Sequence, residues 1–171
     1  MGLADALIQE IDREGATTRR VLERVPSDKL SWKPHPKSMS LGELAQHVAT
    51  TPGSTSSWAL KDVFDFSATG ERPAPATSTA DIVAAHDQSV TKAKDVARQL
   101  GDAGLMSDWE AKMNGASVFK MPKIGLYRTL VLNHWYHHRG QLSVYLRLLD
   151  VPVPSIYGPS ADENPFAAQA S

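Results

Sequence analysis

A chain of 171 residues that is 42% hydrophobic is large enough to bury a sizeable core, and its length fits one domain over residues 1–171. Its 18 lysines and arginines nearly cancel 19 acidic residues; a net charge of −1 with no dense basic run argues against nucleic-acid or anionic-membrane partners. The absence of cysteine excludes disulfides, thiolate zinc sites, iron–sulfur clusters and cysteine nucleophiles, so any metal must be held by nitrogen and oxygen.

The N-terminal stretch, Met1-Gly2-Leu3-Ala4-Asp5, has no apolar h-region and Ala6 where a myristoylation motif needs Ser or Thr. No apolar run approaches the ~20 residues of a membrane span, and a cytoplasmic location is expected. Leu3 to Val25 places Leu7, Ile8, Ile11, Val21, Leu22 and Val25 at helical spacing, which predicts an amphipathic helix stopped by Pro26. Pro26 to Met39 reads as a loop, because prolines flank His35. Ser40-Leu41-Gly42-Glu43 is a capping box, so a second helix starts at Leu41. Leu44 and Val48 mark its inner face, with His47 on or near it, and Pro52-Gly53 is expected to bend or end it. Ser54 to Phe66 reads as a further helical stretch through Trp58, Val63 and Phe64, and Ser67 to Ser78 as an exposed loop. A third helix begins at Thr79-Ala80-Asp81 and is expected to end at Gly101.

Between Leu105 and Met121 the period changes to a loose alternation around Asn114-Gly115, which predicts a small β-hairpin. Pro122 suits the first turn of the last helix. Tyr127, Leu130, Val131, His134, His138, Leu142, Tyr145 and Leu149 form that helix's expected inner stripe, and Val151-Pro152-Val153-Pro154 ends it. The tail, including residues 158–171, is expected to be extended. Four principal helices with short to moderate connections read as an all-α four-helix bundle carrying a small hairpin before the last helix.

His134 and His138 are four residues apart, so on a helix their imidazoles project within roughly 40° of each other, one turn apart. His47 lies on the inner side of the second helix, and a bundle brings such faces together. The three are candidate ligands for one metal ion, with a position left open for water or substrate. His137 is rotated about 100° from His138 and is not expected to join them. Gln141 returns to nearly the face of His134, where it either hydrogen-bonds a ligand imidazole or packs between helices. Arg139 is expected to form a structural salt bridge, with anionic-substrate binding the lesser reading, and Asp62 and Asp65 to lie on a solvated helix face rather than reach the site as base or fourth ligand. His35 is expected to be structural and His86 solvated. Trp32 either tucks into the core or lines a pocket, and Trp58 and Tyr136 are expected as core or interface aromatics.

Three segments carry a family resemblance: Leu44-Ala45-Gln46-His47-Val48 after its Ser-Leu-Gly-Glu start, His134-Trp135-Tyr136-His137-His138-Arg139-Gly140-Gln141-Leu142, and Val153-Pro154-Ser155-Ile156-Tyr157-Gly158. Together they resemble the DinB-like (DinB/YfiT) superfamily, over most of the chain. The resemblance implies an up-down-down-up bundle, often a homodimer, that binds a divalent metal through His47, His134 and His138, with zinc or nickel the expected ion. It also implies a metal-dependent thiol S-transferase that joins bacillithiol, mycothiol or glutathione to a small electrophile. A metal-dependent hydrolase and a non-catalytic metal- or small-molecule-binding stress protein are the alternative readings, and no catalytic residue is assigned. Because the chain has no cysteine, any sulfur nucleophile comes from a cosubstrate.

Overall fold

Capping chemistry fixes where the helices of this protein begin, as seen in a computed structural model that describes residues 2–68 and 74–167. Helix α1, Leu3–Leu22, starts where the Gly2 N–H donates to the Asp5 carboxylate at 3.1 Å, and it buries Leu7, Ile11, Val21 and Leu22. Helix α2, Leu41–Ser56, opens on the expected capping box. The Glu43 N–H donates to Ser40 Oγ at 3.2 Å, and the Ser40 N–H donates back to Glu43 Oε2 at 2.6 Å. Helix α3, Thr79–Leu105, is capped by Ser78, whose Oγ accepts from the Asp81 N–H at 3.1 Å.

Pro52 does not end α2; the helix runs on to Ser56. A proline inside a helix breaks the hydrogen-bond ladder, and here α3 repairs the break. Ser89 Oγ accepts from the Gly53 N–H at 2.7 Å and donates to the Thr50 carbonyl at 3.0 Å. The Thr51 hydroxyl donates to the His47 carbonyl at 2.6 Å. Gly101 likewise interrupts rather than ends α3: at φ 59 it kinks the helix, and another turn follows to Leu105.

The helical continuation expected to Phe66 is corrected. After Ser56 the chain makes a short 3₁₀ turn, Ser57–Leu60, then enters strand β1, Val63–Asp65. β1 pairs in parallel with β2, Asp108–Met113, which pairs antiparallel with β3, Ala116–Pro122. Asn114 and Gly115, both at positive φ (51 and 78), form the expected hairpin turn between β2 and β3. An aromatic cluster of Trp58, Phe64, Phe66, Trp109 and Phe119 packs beside this three-stranded sheet.

The last helix starts one residue after Pro122, which occupies its N-cap. It is continuous over 123–148 in three pieces: α4, Lys123–Leu126; a π-helical stretch, Tyr127–Asn133; and α5, His134–Leu148. The π stretch corrects the expected inner stripe. A π turn closes from i to i+5 and takes about one residue more than an α turn, so every later residue is set back by roughly 100°. The stripe that starts at Tyr127 and Val131 therefore continues through Trp135, Arg139, Leu142 and Leu146, all buried, instead of through His134 and His138. The two histidines are left at its border, half-buried.

The protein is mostly helical, with α3 packed against both α1 and α2, and α5 against the same two helices. Leu7, Ile11, Leu44, Val48, Ile82, Val96, Val131, Trp135 and Leu142 meet in one core, where each large side chain contributes about 1.5–3 kcal/mol by leaving water. Beyond α5 the chain is irregular but tied down: Arg147 pairs with Asp162 and Arg20 with Glu163. Residues 69–73 of the expected loop and 168–171 of the expected tail lie outside the described residues. No helix among the described residues is long and apolar enough to cross a membrane.

Candidate metal centre

His47, His134 and His138 meet on the seam between α2 and α5. His47 is brought there by the capping box, which sets the start of α2, and by Leu44 and Val48, which bury the neighbouring face. His134 and His138 are brought there by the π stretch, which turns them from the core toward α2. His47 Nε2 lies 2.9 Å from His134 Nε2. The His138 ring is 4.4 Å from that of His47 and 4.5 Å from that of His134, centroid to centroid. One ring nitrogen from each histidine lies within 4.8 Å of the others. Two nitrogens on one tetrahedral ion, each at about 2.05 Å, stand about 3.3 Å apart. The cluster thus fits a single ion after small side-chain shifts.

Electrostatics suit the same purpose. Burial holds His134 below the ordinary imidazole pKa, and the nearby His138 and His137 lower it further. Burial also lowers His138, opposed by its hydrogen bond to Gln141 and reinforced by His137. Both rings are therefore neutral at pH 7, the form in which imidazole offers a lone pair to a metal. All three histidines are half-buried, so the cluster has a side open to solvent. Three imidazole nitrogens could hold a divalent metal ion there.

The other residues singled out from the sequence fall as follows. Gln141 takes the hydrogen-bonding role: its Oε1 is 2.7 Å from His138 Nδ1, and its Nε2 is 3.0 Å from His137 Nε2. His137 is exposed and outside the cluster. Arg139 is the expected structural cation, only 1% exposed. It pairs with Glu14 at 2.7 Å, donates to Thr18 Oγ1 at 3.0 Å and lies against the rings of Tyr136 and Tyr157. Asp62 does not approach the histidines but pairs with the buried Lys123 at 2.8 Å. Asp65 instead braces the hairpin, accepting from the Gly115 N–H at 2.7 Å. His35 is exposed, and its Nδ1 accepts from the Lys37 N–H. Trp32 is half-buried, edge-on to Tyr145.

His86 corrects an expectation. It is 2% exposed rather than solvated, with Nδ1 on Asp87 and Nε2 without a hydrogen-bond partner among the described residues. The ring of Trp135, whose Nε1 is also unpartnered among those residues, lies 6.0 Å away. Sequence reasoning also missed the link from Gln141 to His137, although their i, i+4 spacing signalled it.

Comparison with known proteins places this geometry in context. The family model described as "DinB family" matches residues 1–165. The chain is 26% identical over 160 residues to the uncharacterized protein YrdA of Bacillus subtilis (strain 168), covering 93% of this chain and 90% of YrdA. Its fold is similar to that of a DinB-like protein from Bacillus cereus ATCC 10987, with a TM-score of 0.70 and 25% identity over 90% of this chain and 97% of the other. A second DinB-like protein, YjoA of Bacillus subtilis, shares the fold at a TM-score of 0.65 and 20% identity, covering 86% of this chain and 95% of that one.

Proposed function

Because the chain belongs to the DinB family, we propose that it is a divalent-metal protein with His47, His134 and His138 as ligands, acting as a metal-dependent thiol S-transferase. The observation that carries the metal reading is the convergence of three imidazoles from two helices on one half-open point, with His134 and His138 held neutral by burial. We read zinc or nickel as the ion, since both accept nitrogen ligands at a site with an open position. We also read the helices as an up-down-down-up bundle. Supporting this, α1 meets α3 head to tail through Asp12–Lys94 and Arg19–Asp87. It meets α5 side by side through Glu10–Tyr136 and Glu14–Arg139.

When bound, such an ion lowers the pKa of a thiol brought to its open position. The chain's own residues prepare for this. Burial keeps His134 and His138 neutral, and Arg139, locked on Glu14 and Thr18, fixes the rotation of α5 from which they project. The chain supplies no sulfur of its own, which supports a thiol cosubstrate. The test incubates zinc- or nickel-loaded protein with an aryl halide and bacillithiol, mycothiol or glutathione. Thioether formation, lost in His138→Ala, is the expected result. Thiol-independent cleavage of esters or amides favours the hydrolase reading instead. Metal binding with no turnover across such substrates favours a binding protein.

A further inference from the structure

Three segments tie the chain to its family; two of them build the histidine cluster, and the third, Val153 to Gly158, lies away from it in the tail. We propose that this third segment serves the metal centre through Tyr157, a positioning residue whose hydroxyl holds Arg139 in place and thereby sets the rotation of α5. The proposal rests on the metal reading above.

The segment is pinned to two helices. The Ser155 hydroxyl donates to the Gly158 carbonyl at 2.8 Å and closes a turn. The Val153 N–H donates to Asp162 Oδ2 at 2.8 Å, and the Ser155 N–H to Glu163 Oε2 at 3.1 Å. Those two carboxylates pair with Arg147 on α5 and Arg20 on α1. Tyr157 is 70% exposed, yet its ring covers the Arg139 guanidinium, 5.0 Å from centroid to Cζ, and its hydroxyl reaches inward. Bond directions there are forced. Arginine only donates, so the Tyr157 oxygen accepts from Arg139 Nη2 at 2.5 Å. A carboxylate only accepts, so the Tyr157 O–H donates to Glu14 Oε2 at 2.9 Å. Arg139 Nη1 lies 2.7 Å from the same Glu14 oxygen and 3.0 Å from Thr18 Oγ1. Groups from α1, α5 and the tail thus close one cycle.

A guanidinium is a rigid fork, and both of its arms must be held to fix its plane. Arg139 is 1% exposed, and among the described residues Tyr157 is the hydrogen-bond acceptor of Nη2. Without that hydroxyl a buried, charged N–H has no acceptor, which favours a swing of the side chain toward water. His134 and His138 feel the change through the helix that carries all three residues. Their ring nitrogens stand about 5–6 Å from the helix axis, so a rotation of roughly 10° carries them about 1 Å, enough to spoil a metal site.

The experiment loads full-length wild type, Tyr157→Phe and Asp65→Ala with Co²⁺, whose visible d–d bands report ligand geometry. It reads those bands and the cobalt affinity, and records urea unfolding of the metal-free chains. Tyr157→Phe keeps the ring and removes only the hydroxyl. It is expected to shift the bands and to weaken cobalt by about 10-fold, the lower end of the cost of losing a group that orients a metal ligand. Asp65→Ala loosens the hairpin instead and is expected to keep wild-type bands and affinity. Where Arg139→Met and Glu14→Leu together have removed the ion pair, adding Tyr157→Phe is expected to change nothing more. Wild-type bands and affinity in Tyr157→Phe overturn the proposal, whatever that variant's stability. An equal loss in Asp65→Ala also overturns it, because the effect is then one of general stability, and so does a further loss in the chain without the ion pair. A wild type that takes up no cobalt overturns the metal reading. The urea midpoints of the metal-free chains then still decide whether the hydroxyl acts on Arg139, since the loss from Tyr157→Phe must vanish once the ion pair is gone.

Discussion

His86, His134 and His138 share one electrostatic property: burial lowers all three below the ordinary imidazole value of 6.5. In the unfolded chain these imidazoles take up protons near 6.5, whereas in the folded chain they resist until lower pH. Stability from this source is therefore complete above 6.5 and is lost as pH falls from there through the folded-state values. For the deeply buried His86 the slope inside that window is at most about 1.4 kcal/mol per pH unit, the limit for one proton. Metal-free protein is expected to unfold at lower urea at pH 5.5 than at pH 7.5, and His86→Phe to flatten part of that difference. An unchanged difference in the variant would remove His86 from the account. Arg139 illustrates why single residues were only partly legible. A salt bridge could be anticipated, but its partner Glu14 lies 125 positions away in the chain, and no local pattern names it.

At the scale of elements, α2 shows how a neighbour overrides local sequence. Proline followed by glycine reads as a stop, yet Ser89 on α3 takes up the Gly53 N–H and the Thr50 carbonyl on either side of Pro52. The repair requires close approach. A Cβ at Gly53 would stand 2.9 Å from both the Cα and the carbonyl oxygen of Ser89, too close for backbone atoms. Gly53→Ala is expected to destabilise the protein by about 1–3 kcal/mol, as overpacking does, measured by urea unfolding; stability equal to wild type would show that α2 and α3 separate freely. The hairpin was legible because Asn-Gly dictates its own turn. Strand β1 was not, because three residues become a strand only when β2, more than forty positions later, pairs with them. The π stretch was equally hidden: Tyr127 to Asn133 has no residue that demands it, and its effect is visible only in which later side chains are buried.

At the scale of the molecule, the histidine cluster joins α2 to α5, so a bound ion would act as a cross-link between helices distant in sequence. Zinc at 100 times its dissociation constant adds about 2.7 kcal/mol of stability, which in a protein of this size raises the unfolding midpoint by roughly 5–10 °C. Wild type is expected to show that rise and to lose it on chelation, while His138→Ala shows none; a wild-type midpoint indifferent to zinc would count against the site. The sequence by itself determined the helical class, the start of α2, the hairpin and the three histidines, because caps, turns and periodicity act within a few residues. Tertiary structure alone decided that α2 survives its proline, that β1 exists, that His86 is buried, and that the last helix presents its histidines to α2 instead of the core. Each of those depends on a hydrogen bond or a packing contact supplied by a distant part of the chain, or on a change of helical phase that no local pattern records.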